Sequence, residues 1–90
     1  MKKYLIDQIV YSTASGYGSH MWFFDNLEDA RKRFECMKEN LFPAHKSITE
    51  YSLYLCEDHG NVDDDIVLDE FQMDEEAIKA RKLERGWIAQ

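Results

Sequence analysis

Three histidines, two cysteines, a few hydroxyl side chains and a large excess of acids are the groups in this 90-residue chain that could do chemistry. His20, His45 and His59 lie far apart, and no C-x-x-C or H-x-x-x-H spacing links them with Cys36 and Cys56. A structural zinc site is therefore not expected. Ser12, Thr13, Ser15 and Ser19 fall in turn-forming sequence, and no G-x-S-x-G elbow presents one of them as a nucleophile. Gly16-Tyr17-Gly18 lacks the lysine and the following helix that a phosphate-binding loop requires. Asp58, Asn61, Asp63 and Asp65 could offer oxygens to a hard divalent cation. The alternating Asp/Asn pattern with its central glycine and closing bidentate Glu is missing, however. The expectation is a protein with no catalytic residues, no metal and no cofactor, and hence not an enzyme.

What the chain has instead is charge. From Glu57 to Glu76 there are ten acids (Glu57, Asp58, Asp63, Asp64, Asp65, Asp69, Glu70, Asp74, Glu75, Glu76) and no lysine or arginine. The formal net charge is −7. A body of that sign repels free nucleic acid and anionic membrane at long range and attracts a basic protein. Like charges so close together cost self-repulsion, which a docking surface for a cationic partner would offset. Asp63, Asp64, Asp65, Asp69 and Glu70 are the candidate partner-binding residues. The plainer alternative is a solvated, solubilising surface, part of it capping helices. A different alternative, a nucleic-acid-binding accessory protein, would use Arg31, Lys32, Arg33 and Tyr17, although no basic groove accompanies them.

These groups need a scaffold. Ninety residues support one core, and 44% hydrophobic with 13% aromatic residues is too apolar for a disordered acidic tail. One domain over residues 1–90 is expected. Tyr4 to Ser12 alternates as a strand, Ala14 to Ser19 supplies turn chemistry, and Met21 to Phe24 is β-prone, which together read as a hairpin. Within the second strand Trp22 and Phe24 must face away from Phe23, so at least one large ring could stand outside the main core. Packing in the core, including burial by the last helix, is the plainer alternative, and an exposed ring would serve as an interface anchor or homodimer contact.

A helix over about 26–40 is the clearest local signal. Asn26 and Asp29 form a capping box, and Leu27, Ala30, Phe34, Met37 and Leu41 trace one face until Pro43 ends the pattern. Ile48 to Glu57 reads as a third strand with Tyr51, Leu53 and Leu55 on one face, followed by turn residues Asp58 to Asn61. Asp65 to Phe71 reads as a fourth strand, with Val67 and Phe71 opposed to Ile66 and Leu68. A second, peripheral helix starts at Asp74 and stops at Gly86, after which Trp87 and Ile88 could fold back. The order β-β-α-β-β-α predicts an α+β fold: a four-stranded antiparallel sheet with the first helix across one face. Cys36 and Cys56 are expected as reduced, half-buried hydrophobes. With no long apolar run and no signal-peptide core after Met1-Lys2-Lys3, a cytoplasmic protein is expected.

In its acidity, its small size and its short α+β layout, the chain resembles the small acidic proteins of phages and mobile elements that inhibit host defence, the anti-CRISPR and anti-restriction class. That resemblance implies a mechanism rather than particular residues. Carboxylates on a rigid scaffold would occupy the Arg/Lys channel in which a nuclease holds phosphates, in the cytoplasm of the host cell.

Overall fold

The computed structural model describes residues 3–39 and 48–84. Strands β1 (Tyr4–Ser12), β2 (Gly16–Phe24), β3 (Ile48–Glu57) and β4 (Ile66–Met73) form one antiparallel sheet in the order β2-β1-β3-β4. Helix α1 (Leu27–Glu39) follows the first hairpin, a 3-10 turn (Val62–Asp64) precedes β4, and helix α2 (Glu75–Glu84) follows it. The order β-β-α-β-β-α and the four-stranded antiparallel sheet are those the sequence predicts. Strand order is decided by pairing: β1 and β3 lie at the centre although 35 residues separate Ser12 from Ile48 along the chain (13 to 47).

Both helices pack on the same face. Ile6 from β1, Tyr51, Leu53 and Leu55 from β3, and Met73 from β4 meet Ala30, Phe34 and Met37 from α1 and Ile78 from α2 in one core. The alternation of strand side chains sends these residues to one side, and the three- and four-residue steps of α1 return Ala30, Phe34 and Met37 to them. Asn26 caps α1 as expected: its Oδ1 accepts from the Asp29 amide at 2.8 Å while its Nδ2 donates to Asp29 Oδ2 at 3.1 Å. Asp74 does the same for α2, accepting from the Ala77 amide at 2.8 Å. At the other end of α1, Arg81 Nη1 donates to the Lys38 carbonyl at 3.1 Å, which satisfies one of the helix's terminal acceptors. Tyr51 has its hydroxyl inside the core, where it accepts from Gln8 Nε2 at 2.9 Å.

Four details differ from the sequence expectation. β2 begins at Gly16, so Tyr17, Gly18 and Ser19 are strand rather than turn, and the hairpin loop is only Thr13 to Ser15. Gly16, at φ +80°, supplies the left-handed conformation that so short a loop demands. Leu27, in the first turn of α1, is exposed and does not join Ala30, Phe34 and Met37 in the core. Cys36 is exposed rather than half-buried, since it lies one helical position away from the apolar stripe, whereas Cys56 is buried; neither is in a disulfide. Finally, β4 slips against β3 between Leu55 and Cys56. The bulge places Val67 opposite Cys56 but Phe71 opposite Leu53, so these two residues face opposite sides and not the same one. Leu41, Pro43, His45, Arg85, Gly86, Trp87 and Ile88 lie outside the described residues.

Candidate functional site

The side of the sheet away from the helices is the notable surface. Register fixes its rows across β2, β1, β3 and β4. The first is Phe23, Leu5, Cys56 and Val67; the second is Met21, Asp7, Tyr54 and Glu70. The third is Ser19, Ile9, Ser52 and Gln72, and the last is Tyr17, Tyr11 and Glu50. None of these residues belongs to the core that the two helices share with the sheet, so among the described residues neither helix covers this face. Phe23, Val67 and Tyr17 are 48%, 54% and 72% exposed.

Charge within these rows is of one sign. Asp7, Glu70 and Glu50 stand in its rows, and no lysine or arginine does; exposed Lys3 lies beyond the end of β1. Asp65 joins Asp7 at a small hollow of about 140 Å³ between Leu5, Met21, Tyr54, Cys56 and Val67. Asp7 sits at the middle of β1 on an inner strand. Its Oδ1 is buried and accepts no hydrogen bond from the described residues. Burial raises its carboxyl above the ordinary carboxylate range, because the charged form is poorly solvated there. Cys56 is pushed up as well, first by burial and then by the charges of Asp65 and Asp7. Its sulfur stays a protonated thiol and is a poor nucleophile.

Around the rows, side chains brace one another. Tyr54 accepts from Gln72 Nε2 at 2.9 Å. The Tyr11 and Tyr17 rings meet at 4.7 Å between centroids, and the Tyr17 hydroxyl donates to Glu50 Oε2 at 3.5 Å. The aromatic part of the surface is held in place by its neighbours.

The five acids singled out in the sequence do not make one patch. Asp69 and Glu70 are adjacent in β4 and point to opposite faces. Asp69 is on the helix side, where Arg31 Nη1 meets its Oδ2 at 3.3 Å. Glu70 is on the open side, beside Tyr54. Asp63 and Asp64 are exposed in the 3-10 turn. Asp65 follows them into the hollow, where its Oδ1 also accepts from the His59 amide at 2.8 Å. The same turn uses its other oxygens internally: Asp58 Oδ1 accepts from the Gly60 amide and Asn61 Oδ1 from the Asp63 amide. Among the described residues no group of three or more His, Cys, Asp or Glu side chains is placed to hold a metal ion.

Comparison with known families, curated proteins and solved structures finds no match to this chain.

The groups proposed for nucleic acid are scattered as well. Arg31 and Lys32 are on α1, engaged by Asp69 and by Glu28 at 3.4 Å, while Tyr17 is on the opposite face of the sheet. Sequence reasoning missed Asp7. An acid in the middle of an alternating apolar strand, flanked by Ile6 and followed two residues later by Ile9, was the available signal. What it did not disclose was that this strand lies inside the sheet, where an acid loses much of its water.

Proposed function

We propose that this chain is a non-enzymatic protein-binding module that receives a basic partner on the open face of its sheet. The observation that carries this reading is Asp7: a carboxylate with a buried oxygen that has no hydrogen-bond partner among the described residues, beside exposed Met21 and Val67 and with no cation in the same rows. An unpaired buried polar atom costs roughly 1–3 kcal/mol, and a charged donor arriving from outside would recover much of that. Glu70, Asp65 and Glu50, with Asp63 and Asp64 beyond the rim, would steer such a partner and fix its orientation. Phe23, Met21 and Val67 would supply the apolar contact that charge alone does not.

A surface of this kind fits the Arg/Lys-lined channel of a protein that handles nucleic acid, which is the setting of a phage-type inhibitor of host defence. Asp69 contributes less in this reading than its neighbour, because Arg31 already engages it. Affinity capture from the source cell, with the wild-type chain beside Asp7→Arg and Glu70→Arg variants, tests it. The expected result is a basic, nucleic-acid-binding protein retained by the wild type, released by rising salt and lost with the variants. Capture that ignores both salt and these substitutions would overturn the reading.

A further inference from the structure

The two outer edges of the sheet are built differently. β4 is interrupted by its bulge and carries Asp69 and Glu70, devices that discourage edge-to-edge pairing. β2 has none of them. Its nine residues, Gly-Tyr-Gly-Ser-His-Met-Trp-Phe-Phe, run in unbroken register against β1, with no proline, lysine or acid. Of the four described strands it alone has no acid, in a chain whose net charge of −7 otherwise opposes self-association. Its outer side has no strand neighbour among the described residues, so it presents a row of backbone donors and acceptors.

Its small residues are unevenly placed: Gly16, Gly18 and Ser19 lie with Tyr17 in the first half, and the second half is Met21, Trp22, Phe23 and Phe24. In an antiparallel pair of two such strands, facing residues must share a face of the sheet, so their numbers sum to an even constant. Full overlap of Gly16–Phe24 makes that constant 40 and centres the pair on His20. Gly16 then faces Phe24, Gly18 faces Trp22, Ser19 faces Met21, and Tyr17 faces Phe23. Each glycine receives a large ring, the pairing by which aromatics compensate an edge glycine. The space exists: a Cβ built on Gly16 or Gly18 would meet nothing within 4 Å. A hollow of about 430 Å³ opens beside them, lined by Val10, Ser12, Gly16, Gly18 and Ile48.

We propose that β2 is the seam of a homodimer, in which two copies pair antiparallel about His20 and join their sheets into one of eight strands. The two-fold axis at His20 runs through the sheet, so both open faces lie on the same side and become one continuous surface. Tyr17 of each copy, the most exposed aromatic of the strand at 72%, then packs against Phe23 of the other.

Sedimentation velocity over a range of concentrations tests the dimer, and cysteine cross-linking tests its register. Facing Cα atoms in an antiparallel pair are about 4.5–5.5 Å apart, within the reach of a disulfide. On a Cys36→Ser background, His20→Cys is expected to oxidise to a covalent dimer by itself. Tyr17→Cys is expected to cross-link only when mixed with Phe23→Cys. His20→Lys sets like charges face to face on an exposed position and is expected to weaken the dimer about fivefold or more, with the far-UV circular dichroism of the monomer unchanged. A wild-type chain that stays monomeric at millimolar concentration overturns the proposal. So does a dimer indifferent to His20→Lys, or one in which Ser19→Cys cross-links to itself as readily as His20→Cys.

Discussion

Ile6 and Asp7 are consecutive residues of one strand, yet they belong to two different surfaces. Ile6 is wholly buried beneath the helices; Asp7 stands on the open side with an oxygen that has lost its water and has no hydrogen-bond partner among the described residues. The covered face is a core in the ordinary sense, with Phe34, Leu53 and Leu55 fully enclosed. The open face has no helix of the core over it: Leu5 and Cys56 are buried among their neighbours in the sheet, while Phe23, Met21 and Val67 remain in water and are available for something else. A sheet needs only one packed face for stability; the composition of the second is then free to answer to a partner.

Truncation separates the two surfaces most sharply. Phe34→Ala, at 0% exposure on the covered side, is expected to cost about 3–5 kcal/mol in urea denaturation, and to unfold the chain if its total stability is at the low end for its size. Phe23→Ala, the same deletion on the open side, should change stability by less than about 1 kcal/mol, since nearly half of that side chain is already in water. Equal losses at the two positions would mean that the open face is covered after all. The caps come next: Asn26→Ala should remove about 1 kcal/mol by releasing the first turn of α1, read as a lower urea midpoint with unchanged slope.

Asp7 should behave in the opposite sense. Its carboxyl is raised by burial, so the folded chain holds that proton to higher pH than the unfolded chain does. Native protein then binds more protons in the window upwards from about pH 4, and stability falls as pH rises through it, with the cost complete above the folded value. Asp7→Asn should flatten this part of the profile and stabilise the chain at neutral pH by roughly 0.5–1 kcal/mol, the low side of the range for an unsatisfied group because Asp7 is only half-buried. The comparison that checks it is the difference between wild-type and variant urea midpoints at several pH values. A loss of stability at neutral pH would place a structural partner on Asp7. Smallest of all, Asp69→Asn should cost only about 0.2–1 kcal/mol and the effect should fade with salt, because the Arg31–Asp69 pair is substantially exposed on both sides.

Much of this protein could be read from local sequence. The extent of β1 and β3, the capping box at Asn26 and Asp29, the apolar stripe of α1 and the acid-first, base-last charge of α2 all rest on interactions within a few residues, and those are determined by which neighbours the chain supplies. The two-strand, helix, two-strand, helix order followed from the same local signals. Strand order, the bulge that turns Val67 away from Phe71, and the division of Asp69 from Glu70 were decided only by tertiary pairing. A one-residue slip in a ladder moves every later side chain to the other face, and no local propensity opposes it. Desolvation of Asp7 is of the same kind: an acid in an alternating strand is unremarkable until two neighbouring strands close in on it and the helices leave its side of the sheet bare.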